Sequence, residues 1–233
     1  MPIPRPDDPL PQGEAKVAAV REMFDTIAPR YDLVNRVMTF RMDVGWRRTT
    51  VASLGLAKGA TVVDLASGTG DLCVELAQRG YRPVSVDLSM GMLVADRSGV
   101  PRVQADVLCL PLAAGAIDGA TCGFALRNLV ELKPFFAELA RILRPGGRVA
   151  LLEVATPPNP VLRAGHRAYF GSVVPIVGGL LSNPAAYRYL PRSVAYLPAP
   201  DELLAQLAAA GFVDVHRQLL SAGISQLITA TRA

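Results

Sequence analysis

Val62-Val63-Asp64-Leu65-Ala66-Ser67-Gly68-Thr69-Gly70 runs an apolar stretch into a glycine turn, and Asp87 stands at the end of the next apolar stretch, Pro83–Asp87. The first stretch reads as a buried strand, and its glycines would let the backbone come close to a ligand. An acidic residue closing the following strand can accept both hydroxyls of a ribose. The register is Asp-x-x-x-Gly-x-Gly, not the Gly-x-Gly-x-x-Gly of dinucleotide binders. Asp64, ahead of the turn, would repel a pyrophosphate but tolerate a cation. That asymmetry favours S-adenosylmethionine, which carries a sulfonium and an ammonium and no phosphate. A strand, turn and helix without a ligand is the plainer alternative for the motif taken alone.

Outward from this turn, strands and helices alternate at short intervals, the pattern of a parallel α/β sheet. Strands are predicted at Thr61–Ala66, Pro83–Asp87, Val100–Ala105, Gly119–Ala125 and Arg148–Ala155. Helices are predicted at Asp71–Gln78, from Ser89 as N-cap to Arg97, and at Glu131–Leu143, where Leu132, Phe135, Phe136, Leu139 and Ile142 share one face. Asp201–Ala210 reads as a helix stopped by Gly211, and Phe212–Leu219 with Ile224–Thr231 as a closing antiparallel hairpin. Ahead of the sheet, Glu14–Leu54 is helical in pattern, interrupted at Pro29. The domain plan is a disordered tail over 1–13, a helical extension or lid over 14–55, and a main domain over 56–233.

The chain has 233 residues, of which 51% are hydrophobic, and a net charge of +4. That composition supports one sizeable core and gives no lysine-rich patch that would call for nucleic acid. Cys73, Cys109 and Cys122 have no metal-ligand spacing and read as reduced, as in a cytoplasmic protein. The start lacks the basic and apolar regions of an export signal. An insertion over 156–199 is long for a strand-to-helix connection. It contains Arg163, Arg167, Arg188 and Arg192, several tyrosines, and no acidic residue. Such a surface suits a greasy substrate, an anionic membrane face or a partner subunit, and an ordinary helical cap is the plain alternative.

Several segments then agree: Phe24-Asp25-x-Ile27-Ala28-x-Arg30-Tyr31-Asp32, Trp46-Arg47-Arg48, the turn Asp64–Asp71, Phe124-Ala125-Leu126-Arg127-Asn128 and Tyr187-x-Tyr189-Leu190-x-x-Ser193. Together they resemble the ubiquinone/menaquinone biosynthesis C-methyltransferases. The resemblance covers nearly the whole chain. It implies a Rossmann-like class I methyltransferase fold: a mostly parallel seven-stranded sheet with an antiparallel last strand, a helical N-terminal extension and a helical insertion after strand five. It implies S-adenosylmethionine as cofactor and a prenylated quinol, demethylmenaquinol first, as substrate. Another phenolic or quinone metabolite is the alternative. So are, further off, an RNA or protein methyltransferase and a noncatalytic cofactor-binding partner.

On this reading Asp64, Ala66, Gly68, Thr69, Gly70, Asp87, Leu88, Asp106, Val107 and Gly123 form the cofactor site. Asp87 takes the ribose, Asp106 the adenine amino group, and Val107 the ring face. Arg127, Asn128, Tyr31 and Asp32 are the catalytic candidates: Arg127 would organise the substrate oxygen or a water, Asn128 would support it, and Tyr31 would cover the methyl donor. For Arg127 the rival role is a structural pair, for Asn128 a loop cap. His166 and His216 read as surface or internally satisfied, and no metal constellation is visible. The protein is expected in the cytoplasm, with peripheral contact at the inner membrane face through 156–199, and a homodimer stays open. The chain departs from the family at Gly123, where a serine is usual, at Glu153-Val154-Ala155, and at Ala222–Leu227, where a histidine is usual. These departures bear on the substrate more than on the cofactor.

Overall fold

The computed structural model describes residues 12–233, without the side chains of Leu181, Pro184, Ala185, Tyr187, Arg188 and Leu190. Most of the tail expected over 1–13, and the Tyr187 and Arg188 side chains counted in the insertion, lie outside the described residues. Gly13 is helical, not tail.

Seven strands form one sheet: β1 Thr61–Leu65, β2 Arg82–Asp87, β3 Arg102–Gln104, β4 Ile117–Gly123, β5 Leu143–Val154, β6 Phe212–Leu220 and β7 Ser225–Arg232. Their order is β3-β2-β1-β4-β5-β7-β6. The first five pair in parallel, while β7 runs antiparallel to both neighbours. This is the arrangement expected from sequence. The order reverses between β1 and β4, and ligands of open α/β sheets sit at the carboxyl ends beside such a reversal. Buried Val62, Val63 and Leu65 explain why β1 is central.

Around the sheet lie α4 Asp71–Gln78, α5 Met90–Ala95, α6 Leu132–Ile142 and α10 Pro200–Ala209. The apolar face read on α6 is buried as expected, and Ser89 caps α5 by accepting from Met92 N–H. The N-terminal part folds as α1 Gly13–Ile27, α2 Tyr31–Met38 and α3 Met42–Ser53. Pro29 falls in a single 3-10 turn joining α1 to α2. The helical pattern read on from Pro29 to Leu54 breaks again at Phe40 and Arg41, both with left-handed backbone angles. No glycine or proline marks that break. The insertion folds as α7 Pro160–Ala168, a π-helical turn at Tyr169–Val173, α8 Val174–Leu181 and α9 Pro184–Ser193.

Candidate active site

Two cavities adjoin at the carboxyl edge of the sheet, sharing Tyr31 and Phe124 as wall residues. The smaller, about 110 Å³, is lined by Gly68, Asp87, Leu88, Asp106, Val107, Gly123 and Asn128, and is roofed by Val17, Val20 and Phe24 of α1. It gathers loops that follow β1, β2, β3 and β4. The larger, about 390 Å³, lies between α2, α3, α7 and the turn before β7, with walls that include Trp46, Val154, Leu162, Phe170 and Ile224.

Asp87 lies at the floor of the smaller cavity. Its Oδ2 accepts from Gly68 N–H at 2.8 Å and its Oδ1 from Ser89 N–H at 2.8 Å. Burial raises its pKa, and these amide bonds pull the other way. A carboxylate has lone pairs left over for two ribose hydroxyls. A Cβ at Gly68, whose φ is 58°, would stand 3.9 Å from the Tyr31 ring and 4.0 Å from Met92 Sδ, both wall groups of this cavity. The missing side chain is the cradle. Leu88, Val107 and Leu108 offer apolar faces to a purine, and Asp106 lines the rim while accepting from Leu108 N–H at 2.9 Å. Ribose acceptor, bare backbone and apolar slot therefore fit S-adenosylmethionine.

The other predicted cofactor residues divide. Ala66 (φ 51°) and Gly123 line the cavity. Asp64, Thr69 and Gly70 line neither cavity. Asp64 is fully buried beneath the turn, accepting from Thr121 Oγ1 at 2.7 Å and facing Cys73 Sγ at 3.7 Å. Burial pushes its pKa up to about 7 against the Thr121 and Cys73 hydrogen bonds. Gly70 adopts φ 84°, and a Cβ there would collide with the Asp96 carboxylate, so it shapes the turn. Thr69 donates to Asp32, which places Asp32 on the turn and away from both cavities.

That bond is one of several tying the N-terminal helices to the turn. Asp71, the first residue of α4, holds Arg36 at 3.1 Å and Arg47 at 3.3 Å, and Arg47 also pairs with Asp43. From α1, Asp25 accepts from Ser89 Oγ at 2.5 Å and Gly91 N–H at 2.9 Å.

Arg127 lines the larger cavity but is held on its far side. Its Nη1 donates to buried Glu153 and to Phe124 O at 2.7 Å, and its Nε to Ser193 Oγ at 3.1 Å. The structural pair weighed from sequence is thus present, and Glu153 is its partner. Asn128 lines the smaller cavity and accepts from Tyr189 O–H at 3.4 Å, so the loop-cap role does not describe it. Tyr31 stands at the junction, edge-on to Phe24 with centroids 6.0 Å apart. Burial raises its pKa, with a side-chain hydrogen bond to Asn35 opposing.

Phe124, Glu153 and His166 are the residues sequence reasoning missed. Phe124 has a left-handed φ of 59° at the end of β4, which turns its ring into the junction. Its type suggested only core. His166, read as surface or satisfied, instead lines the larger cavity, and its Nε2 is buried with no hydrogen-bond partner.

Fold and site together define a class I, S-adenosylmethionine-dependent methyltransferase. The ubiE/COQ5 methyltransferase family profile matches residues 12–232, and the chain belongs to that family. A relative named demethylmenaquinone methyltransferase, from Thermus thermophilus, is 43% identical over 221 residues, covering 90% of this chain and all of that one. A Syntrophotalea carbinolica protein named ubiquinone/menaquinone biosynthesis C-methyltransferase UbiE is 41% identical, covering 91% and 94%. Among solved structures, an S-adenosylmethionine-dependent methyltransferase of Thermotoga maritima, described as a possible histamine N-methyltransferase, aligns with a TM-score of 0.65 at 19% identity. That alignment covers 91% of this chain and 99% of that one, and bears on the fold alone.

Proposed function

We propose that this enzyme methylates a ring carbon of a prenylated quinol, converting demethylmenaquinol to menaquinol. The observation that carries the reading is the apolar 390 Å³ cavity meeting the cofactor cavity at Tyr31 and Phe124. Its size suits an aromatic headgroup with the start of a prenyl chain. The names of the Thermus and Syntrophotalea relatives support the same substrate class.

Bound S-adenosylmethionine supplies an electrophilic methyl group on a sulfonium. The chain's residues do the rest by positioning and by excluding water. Asp87 would take the ribose, Gly68 leaves room for the cofactor, Gly123 lines the cavity, Val107 would meet the adenine face and Asp106 its amino group. Tyr31 and Phe124 form the partition through which the two ligands meet. A quinol ring carbon becomes nucleophilic when its neighbouring hydroxyl loses its proton to solvent. After the methyl group bonds to that carbon, the carbon's own proton leaves and the oxygen is reprotonated. The Arg127 guanidinium, shared with Glu153, lies in the wall where the charge develops. Residues 14–55 act as a lid over the domain 56–233, because α1 roofs the cofactor cavity while bonding to the loop after β2.

Phe40, Val161 and Leu162 of the larger cavity's wall, and Ile176 and Leu180 of α8, are exposed apolar residues. With Arg41, Arg163 and Arg167 beside them in sequence, they form the face that rests on an anionic bilayer and lets a prenyl tail enter. No helix among the described residues is long and apolar enough to cross a membrane. The deciding experiment incubates the enzyme with methyl-labelled cofactor and either demethylmenaquinol or a panel of soluble phenols. Label in menaquinol is the expected result; label only in a soluble phenol would reject the quinol assignment.

A further inference from the structure

Seven other polar side chains in the wall of the larger cavity already have protein partners, and an eighth, Trp46, donates its Nε1–H to Ser221 Oγ at 2.8 Å. Tyr31 bonds to Asn35, Thr39 Oγ1 donates to Asp43 at 2.7 Å, and Asp43 pairs with Arg47. Arg127 is taken by Glu153, and Tyr169 O–H donates to Met38 O at 2.8 Å. His166 differs. Its Nε2 is the one buried side-chain nitrogen or oxygen among the described residues that has no partner. The ring is held on one side by Phe170, with centroids 4.4 Å apart, and the residue lines the cavity.

A buried polar atom with no hydrogen bond destabilises the fold that contains it, and native proteins keep such groups where a ligand completes them. We propose that His166 Nε2 hydrogen-bonds a ring oxygen of the quinol and thereby sets the ring's orientation in the cavity, an inference that rests on the quinol reading above. Rotation about χ2 is broad for histidine, so the ring can aim Nε2 into the void without leaving its well. A quinol hydroxyl both donates and accepts, so either imidazole tautomer finds a complement. An apolar prenyl tail cannot satisfy Nε2, which places the headgroup at this end of the wall. Burial also lowers the imidazole pKa, which favours the neutral ring.

The test uses the full chain as wild type, His166→Phe and His166→Gln, with a short-chain demethylmenaquinol kept reduced. Three readouts are taken: melting temperature without ligand, the shift on adding the quinol alone, and steady-state kinetics. For His166→Phe the ligand-free melting temperature should hold or rise, because the unpartnered atom is gone. Its quinol affinity should fall at least tenfold, KM should rise with it, and cofactor affinity should stay within twofold. Glutamine should recover most of the affinity. If wild type is stabilised and methylates the quinol while His166→Phe binds it within twofold, the His166 contact is refuted. A ligand-free melting temperature that drops in both variants would assign the residue a structural role and overturn the proposal. Failure of wild type itself to bind or methylate the quinol overturns the substrate reading first.

Discussion

Asp87 holds the cofactor turn with the same carboxylate that is proposed to take the ribose. Replacing it with Asn leaves one of the two amides, Gly68 or Ser89, facing a donor. The expected loss is tenfold to a hundredfold in cofactor affinity, about 1.4–3 kcal/mol, read by titration calorimetry. Asp64 behaves differently. Its folded pKa near 7 lies above the usual aspartate value of 3.8, so the folded chain keeps a proton that the unfolded chain releases. Stability from this group is complete below pH ~4 and is lost as pH rises through ~7, by about 4 kcal/mol. Denaturation midpoints measured from pH 4 to 8 should show that slope in wild type, and Asp64→Asn should flatten it. Arg127→Ala strands Glu153, a buried acid, and should cost about 3–5 kcal/mol, lowering the melting temperature by roughly 6–20 °C. The double change Arg127→Met with Glu153→Leu should recover much of that stability without recovering turnover. Asp87 was legible because a strand end and an acid are both written locally. Glu153 was not, since its meaning comes from Arg127, which reaches it across two neighbouring strands.

Helix α1 closes the cofactor cavity both by apolar packing, with Met23 and Ile27 buried beside Met92 and Tyr189, and by close backbone contact. A Cβ at Gly91 would lie 2.9 Å from Asp25 Cα and 3.1 Å from Asp25 O, so helices α1 and α5 meet backbone to backbone there. Lys16 fastens the other end, donating to Leu129 O at 2.6 Å with its ammonium 3.6 Å over the Tyr196 ring. Gly91→Ala should lift α1, weaken cofactor binding at least fivefold and speed proteolysis within residues 12–27, while thermal unfolding of the rest shifts by no more than a few degrees. Limited proteolysis with and without cofactor checks this. At this scale periodicity served well for α4, α6 and α10, whose apolar faces are buried in two core clusters, that of α4 in one and those of α6 and α10 in the other. It failed at Phe40 and Arg41, where tertiary contacts of α2 and α3 with Asp71 impose a turn that no residue type announces.

For the whole molecule, the exposed apolar residues of α7 and α8 belong to the acid-free insertion, the proposed membrane face. Ile176→Ser with Leu180→Ser should lower co-sedimentation with phosphatidylglycerol vesicles severalfold and raise KM for long-chain quinols. Activity on a short-chain quinol should stay unchanged. Loss of self-association instead, seen by sedimentation velocity, would assign the face to a second copy.

The sheet, the cofactor turn and the acid at the end of β2 were legible along the chain, because strand burial, glycine turns and a strand-end carboxylate depend on neighbours a few residues away. From Val62–Gly70 and Asp87 the methyl donor was readable. The surroundings of the acceptor emerged only once the chain was folded. The fold moved Asp64 and Asp32 from ligand contacts to supports of the turn, paired Arg127 with Glu153, turned Phe124 into the junction and brought His166 to the cavity wall. Those roles depend on which chain segments are brought within a few ångströms across the fold, and side-chain spacing along one strand or helix carries no record of that.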